Sequence, residues 1–262
     1  MAFKIHPWKL IQSGLDLNAV RLAESLTSVA NGYMGMRGNF EEDFSGDSHI
    51  GTYIGGVWFP DKTRVGWWKN GYPAYFGKTI NAVRMNGIHV RIDGETIDLA
   101  KTPCSGYTCE LDLQSGVIRR SFSVCTAKGN AQVAVRRFLS AAQKELMAIS
   151  YEITPDHEAD IECIPYLDGH VRNLDSNYDE MFWDLLEEEE TENALGILIK
   201  TKGNPFGTPR FAVAAAMSVW ADELELADKT LEEGLVEAAY AGTVPAGTTA
   251  RIEKYVLCFT DR

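Results

Sequence analysis

Residues 111–122, LDLQSGVIRRSF, read as two short strands folded about Ser115-Gly116. A turn dipeptide between two strand-like arms is a hairpin signal, and the pattern recurs on both sides. Towards the N-terminus, residues 83–97 carry Ile88, Val90, Ile92 and Ile97, punctuated by the turn dipeptides Asn86-Gly87 and Asp93-Gly94. Towards the C-terminus, strand-like runs follow at 132–139, 146–153, 161–166, 195–201, 211–219 and 251–259. Many short strands with turns between them predict a sandwich or barrel. Strands do not alternate with helices, so a doubly wound fold is disfavoured. The expected fold is mainly β: a large antiparallel β-sandwich with a few short helices, forming one domain over residues 1–262. One helix is expected within 18–30, with Leu15, Leu22, Leu26 and Val29 on one face. Two stretches interrupt the strand rhythm. In 168–193 the acidic run Glu187-Glu188-Glu189-Glu190 reads as a solvated turn or short helix. Residues 222–234 read as a brief helix or a hairpin.

The totals limit the function classes. Hydrophobic residues make up 45% of 262 and charged residues 24%, a globular balance with enough apolar material for a sizeable core. A net charge of −12 opposes general affinity for nucleic acid or an anionic membrane. A local cluster of Arg and Lys could still receive an anionic substrate. The five cysteines are odd in number and lack metal-site spacing, which fits a reducing, cytoplasmic setting. Cys125, Cys163 and Cys258 lie in apolar runs, where a thiol behaves as a small hydrophobe. The five histidines form no HxH or HExxH pair, so no metal centre is expected. The N-terminus lacks the apolar stretch of a signal peptide, and no apolar run is long enough to span a bilayer. The sequence stops just after its last strand, and a domain boundary within a longer protein is the expectation there.

Residues 31–81, NGYMGMRGNFEEDFSGDSHIGTYIGGVWFPDKTRVGWWKNGYPAYFGKTIN, break the strand pattern. Trp58, Trp67 and Trp68 stand among ten glycines, with both charge signs and almost no aliphatic run. Flat aromatics beside Asn, Asp and Arg can hold a sugar ring, the faces stacking and the hydroxyls hydrogen-bonding. The same composition suits a loop packed against another domain, because aromatics dominate interfaces too. Gly32, Gly35 and Gly38 have neither the spacing nor the context of a phosphate or dinucleotide loop. Glu41, Glu42, Asp43 and Asp47 are the clustered carboxylates. Glycoside cleavage needs an acid and a second group across the sugar ring, whereas adjacent side chains on a strand point apart. Glu41 and Glu42 are therefore expected to pair with Arg37 or Lys69, or to cap a turn.

The run from Ser28 to Asn81 resembles the N-terminal domain of glycoside hydrolase family 65, which includes maltose, trehalose, kojibiose and nigerose phosphorylases. The matching residues are Asn31-Gly32-Tyr33, Gly35, Arg37-Gly38-Asn39-Phe40-Glu41-Glu42 and Gly51-Thr52-Tyr53. They continue through Pro60-Asp61-Lys62-Thr63-Arg64-Val65-Gly66-Trp67-Trp68-Lys69-Asn70-Gly71-Tyr72-Pro73 and Tyr75-Phe76-Gly77-Lys78. The block Asn177-Tyr178-Asp179-Glu180-Met181-Phe182-Trp183 is similar to that family as well. The run VGWWKNGYP in particular resembles the maltose phosphorylase branch.

The resemblance implies a supersandwich domain of the galactose mutarotase type, preceding helical linkers, an (α/α)6 barrel and a small C-terminal β domain. It implies an inverting phosphorolysis in which one glutamate acts as general acid while inorganic phosphate attacks the anomeric carbon. That glutamate and the phosphate ligands belong to the barrel, so no catalytic residue is expected in this chain. No cofactor is implied beyond phosphate as co-substrate of the parent enzyme. The implied partners are the chain's own barrel, a second copy in a homodimer and a disaccharide substrate, with no nucleic acid and no membrane. Candidates for the substrate rim or an interface are Arg37, Asn39, Glu41, Trp67, Trp68, Lys69, Asn70 and Tyr72. The alternative is a free-standing carbohydrate-binding module that stacks sugar on Trp67, Trp68, Tyr72 and Tyr75. A mutarotase-like activity, suggested by fold alone, lacks an evident His/Glu pair. Self-association of the isolated domain is expected if the aromatic segment is an interface.

Overall fold

The computed structural model describes residues 2–63, 71–174 and 180–262. Among them, twenty strands follow one another: β1 (Ala2–His6), β2 (Lys9–Ser13), β3 (Val29–Ala30), β4 (Met34–Met36), β5 (Thr52–Ile54), β6 (Trp58–Lys62), β7 (Tyr75–Thr79), β8 (Ile88–Ile92), β9 (Glu95–Thr96) and β10 (Cys104–Asp112); then β11 (Val117–Cys125), β12 (Asn130–Leu139), β13 (Leu146–Pro155), β14 (Ala159–Asp168), β15 (Trp183–Glu190), β16 (Leu195–Thr201), β17 (Ala212–Asp222), β18 (Glu225–Glu232), β19 (Leu235–Val244) and β20 (Ala250–Thr260). A ten-stranded sheet runs β1-β2-β10-β11-β12-β13-β20-β17-β16-β15, and a five-stranded sheet runs β18-β19-β14-β8-β9. Their strand pairs are antiparallel. The two sheets face each other, β14 and β19 lying over β16 and β17. The expected large antiparallel β-sandwich is the fold.

Period-two alternation drives it. In β12, Ala131, Val133, Val135, Arg137 and Leu139 point inward while the residues between them stay wetter. In β20 the inward set is Ala250, Ile252, Lys254, Val256 and Cys258. A sheet buried on one face has this signature. One continuous core joins both sheets, with Phe122, Val133, Ile149, Ile161, Ile199 and Ile252 nearly inaccessible.

The turns obey local chemistry. The hairpin expected in 111–122 forms between β10 and β11, with Gly116 at φ +66° in a turn over 113–116. Asp93 and Gly94, at φ +54° and +80°, make the two-residue link between β8 and β9. Two successive positive φ values suit the right-handed twist of the flanking strands.

Three expectations are corrected. The helix is shorter than 18–30: a 3-10 turn (Leu17–Ala19) leads into α1 (Val20–Leu26), and Val29–Ala30 is already a strand. Its buried face carries Val20 and Glu24, whereas Leu22 and Leu26 are exposed. The reason is polar: the Glu24 carboxylate accepts from Ser48 Oγ at 2.5 Å and His49 N at 2.9 Å, which turns that face inward. Second, Glu187–Glu190 is neither turn nor helix but the end of β15, the last strand of the large sheet. Third, Cys125 is exposed, unlike the buried Cys163 and Cys258. Of the two readings of 222–234, the hairpin is the one formed, β18 turning into β19. No helix among the described residues is long and apolar enough to cross a membrane.

Candidate functional site: the glycine-rich segment and its charge clamp

The segment from residue 29 to 63 is laid against the sandwich rather than built into it. β3, β4 and β5 form a small sheet, and β6 pairs with β7 in a separate hairpin. Asn31 fastens the start. Its Nδ2 donates to the carbonyls of Ser140 and Lys144, in the β12–β13 connection, at 2.7 and 2.9 Å. Its Oδ1 accepts from the amides of Tyr33 and Met34.

Residues 37, 39 and 41 then meet one guanidinium. Arg137 donates to the Arg37 carbonyl at 3.2 Å, to the Asn39 carbonyl at 3.0 Å and to the Glu41 carboxylate at 2.5 Å. Arg120 grips the Glu42 carboxylate with both terminal nitrogens, at 2.6 and 2.7 Å, and also donates to Glu41. All four charged side chains are at most 2% exposed. Burial alone would raise the Glu41 carboxyl, but the guanidiniums of Arg137 and Arg120 outweigh it and hold its pKa below the usual range. Burial likewise opposes the charge on Arg120, and Glu42 and Glu41 reverse that, raising its pKa.

The arrangement fixes what these carboxylates can do. A glycosidic acid must carry a proton and reach a leaving oxygen. Glu41 is held ionised and dry, so it joins the glycine-rich segment to β11 and β12 instead. Breaking a buried pair of this kind costs about 3–5 kcal/mol, because the surviving charge is left without a partner.

The expected partners of Glu41 and Glu42 are therefore corrected: Arg120 and Arg137 take the place of Arg37, and Lys69 lies outside the described residues. Arg37 is engaged elsewhere. It donates to the carbonyls of His49 and Arg21 and to Ser25 Oγ, and its nearest carboxylate is Glu24 at 3.8 Å. Asn39, 3% exposed, donates to the His49 carbonyl and accepts from Gly51 N. These two candidates brace the loop at 45–51 against α1.

The aromatic candidates divide. Trp67, Trp68, Lys69 and Asn70 lie outside the described residues. Tyr72 is half exposed and sits edge-on to Phe76 at 6.2 Å. Tyr75 stacks on Trp58 at 6.3 Å and packs on Phe206 at 4.7 Å. Phe59 packs on Phe182 at 4.9 Å, and Trp183 donates from Nε1 to the Asn81 carbonyl at 2.7 Å. Thus the described part of the 177–183 block anchors the β6–β7 hairpin. Beside it, an open groove of about 440 Å³ is lined by Tyr33, Tyr53, Trp58 and glycines 32, 55 and 56. The Arg262 guanidinium lies 5.2 Å over the Tyr33 ring at this groove. No group of three or more His, Cys, Asp or Glu among the described residues could hold a metal ion.

Sequence reasoning missed Arg120, Arg137 and Lys254. The signal was present: each is the charged member of an inward-facing alternation, as in Ile118-Arg120-Phe122-Val124 of β11. A charge at such a position demands a buried partner.

The comparisons with known proteins agree with this architecture. The family model described as glycosyl hydrolase family 65, N-terminal domain, matches residues 10–262. Maltose phosphorylase of Bacillus subtilis (strain 168) is 48% identical over 99% of this chain, which covers 34% of that relative. The α,α-trehalose phosphorylase of Thermoanaerobacter brockii is 26% identical over 99% of the chain and 35% of its own length. A solved structure provisionally described as a kojibiose phosphorylase from human microbiome superposes with a TM-score of 0.88 at 24% identity. It matches 99% of this chain and 33% of its own, and it supports the fold alone. The chain spans about a third of the length of these relatives. Carried by the model match over nearly its whole length, the chain belongs to glycosyl hydrolase family 65 through that family's N-terminal domain.

Proposed function

We propose that this chain is the non-catalytic N-terminal β-sandwich domain of an inverting, maltose-type disaccharide phosphorylase. In that reading a single domain over residues 1–262 supports an (α/α)6 catalytic barrel and a homodimer in the cytoplasm, and it lends its glycine-aromatic segment to the rim of the active site. The parent transfers a glucosyl group from an α-glucosidic disaccharide to inorganic phosphate, with no other cofactor. The observation that carries the reading is the clamp. Glu41 and Glu42 serve as counter-ions to Arg120 and Arg137, and Glu41, held ionised there, has no proton to give to a leaving group. The 48% identity to a maltose phosphorylase, over a third of that protein, supports the substrate class and the division of labour.

The test is an assay of the 262-residue chain with maltose and inorganic phosphate. No release of glucose 1-phosphate is expected. In a full-length protein containing this chain, Trp67→Ala or Trp68→Ala is expected to lower activity or change oligomer size. Phosphorolysis by the chain alone would sink the reading, as would a tryptophan-substituted parent with unaltered kinetics and assembly.

A second reading, a sugar-binding module using Trp67, Trp68, Tyr72 and Tyr75, draws on the half-exposed Tyr72. Calorimetry with maltose, trehalose and glucose separates the two, since a module gives saturable heat that Trp67→Ala removes.

A further inference from the structure

A cavity of about 300 Å³ opens beside the clamp, between the loop at 39–50 and the β8–β9 hairpin. Its lining includes three carboxylates, and each already has a partner. Glu42 is held by Arg120, Asp43 accepts from His89 Nδ1 at 2.8 Å, and Asp98 accepts from the amides of Ser45 and Ala100 at 3.0 Å. A carboxylate has about four acceptor positions, so capacity remains on Asp43 and Asp98, whereas Glu42 is fully buried.

Arg84, in the same lining, is the exception. Its backbone is fixed by paired amide–carbonyl bonds with Asp168. Its guanidinium lies 5.2 Å over the Tyr166 ring, but its Nε is buried with no hydrogen-bond partner, and the group forms no ion pair among the described residues. A buried donor without an acceptor is costly. Arg120 and Arg137 carry such an Nε too, but their terminal nitrogens hold carboxylates, and Arg84 has none among the described residues. On the apolar side, Phe40 and Phe44 meet edge-to-face at 5.1 Å.

The charges select the ligand. A phosphate or carboxylate drawn to Arg84 would face Glu42, Asp43 and Asp98 at close range. A metal ion drawn to the carboxylates would face Arg84. A neutral polyhydroxylated ring satisfies both: its hydroxyls donate to carboxylate oxygens, its oxygens accept from the guanidinium, and its C–H face rests on the aromatic pair. The volume lies at the small end for ligand sites, which limits the occupant to about one ring. We propose that the Arg84 cavity is a binding site for a single neutral pyranose. The proposal stands apart from the functional reading above, since it needs neither a barrel nor the Trp67-Trp68 segment.

The test is amide and arginine side-chain NMR on the isotopically labelled 262-residue chain, titrated with D-glucose, inorganic phosphate or acetate. At about 100 mM, above the Kd of even a weak millimolar site, glucose is expected to shift the Ser45 and Thr96 amides and the Arg84 Nε–H saturably. Phosphate and acetate are expected to leave them in place. Arg84→Gln should weaken glucose binding about tenfold or more, the scale of a charge-assisted hydrogen bond lost. Thr96→Trp, at an exposed position on the cavity wall, should block binding while leaving the fold intact. It serves as the second variant if Arg84→Gln does not fold. The proposal is overturned if glucose gives no saturable shift there, or if the anions reproduce its shifts. Binding unchanged in a folded Arg84→Gln or in Thr96→Trp overturns it equally.

Discussion

Arg120 and Arg137 on β11 and β12, and Lys254 on β20, are all cations turned inward from apolar strands, yet they are accommodated in opposite ways. The two arginines meet carboxylates on the glycine-rich segment. Lys254 is fully buried and has no carboxylate among its hydrogen-bond partners; it donates to the carbonyls of Gly87 at 2.9 Å and Tyr166 at 2.6 Å and lies 5.7 Å over the Tyr166 ring. Burial, then the nearby Arg84 charge, pushes its pKa well below the usual lysine range. The contrast follows from side-chain chemistry. A guanidinium stays charged in proteins and needs an anion when buried, whereas an ammonium can shed its proton. One region therefore depends on ion pairing, and the other on carbonyls and packing around an amine whose protonation burial opposes.

Glu41→Gln breaks the first region and carries the largest expected effect. It removes the charge shared by two buried guanidiniums, and a loss of about 3–5 kcal/mol is expected in urea unfolding. A loss below about 1 kcal/mol, in the range of an exposed pair, would show that the clamp contributes little.

Gly87→Ala tests the second region through its packing. A Cβ at Gly87 would lie 2.0 Å from the Tyr166 ring, the ring that also stacks on His89. Displacing that ring is expected to cost about 1–3 kcal/mol. An unchanged thermal midpoint would mean that the ring moves freely.

Lys254→Met sharpens the comparison, because it removes the proton-binding group while keeping most of the volume. It should cost only about 1–2 kcal/mol, from two carbonyls losing their donor. Its signature lies in pH. Unfolded lysine titrates near about 10.4, and the folded value is lower. Between the two, the unfolded chain holds the extra proton, so wild-type stability rises with pH. The variant should lack that rise. An identical slope in both proteins would place the lysine charge inside the fold.

His157→Gln has the smallest expected effect and the opposite sign. His157 lies between Asp93 Oδ2 at 2.8 Å and Asp156 Oδ1 at 2.9 Å, and these hydrogen bonds raise its pKa. The stabilisation is complete below the unfolded value of about 6.5 and is lost as pH rises through the folded value. Wild type and variant should therefore converge in stability at alkaline pH. A gap that persists there would mean the ring acts by packing instead.

Strand alternation made the fold legible. The runs around 132–139, 146–153 and 251–259 matched β12, β13 and β20 because each buries one face. Asp93-Gly94 was legible for a related reason: a two-residue link between strands requires positive φ. The helix face differs from the apolar set because a polar residue, Glu24, is recruited inward by Ser48 and His49. The acidic run at 187–190 was misread because charge suggested solvent, and a strand can satisfy that while still pairing on one side. In the site, Glu41 was recognised as an ion-pair partner, but its partners were not found. They lie 79 and 96 residues away, and only the inward phase of Arg120 and Arg137 pointed to them. Arg84 gave no such signal, since its position depends on a backbone bridge to Asp168.

The acidic end of β15 has a consequence for how copies of this protein coexist. Among the described residues β15 is the outermost strand of its sheet, so one row of its amides and carbonyls has no strand beside it. An open edge invites a neighbouring molecule to extend the sheet. Glu187 and Glu189 are exposed on that strand, while Glu188 accepts from Gly234 N and Glu190 pairs with Lys229, and two such edges brought together would set like charges against each other. The run that looked like a break in the strand pattern thus puts negative charge on the one strand of the large sheet whose edge is open at that end.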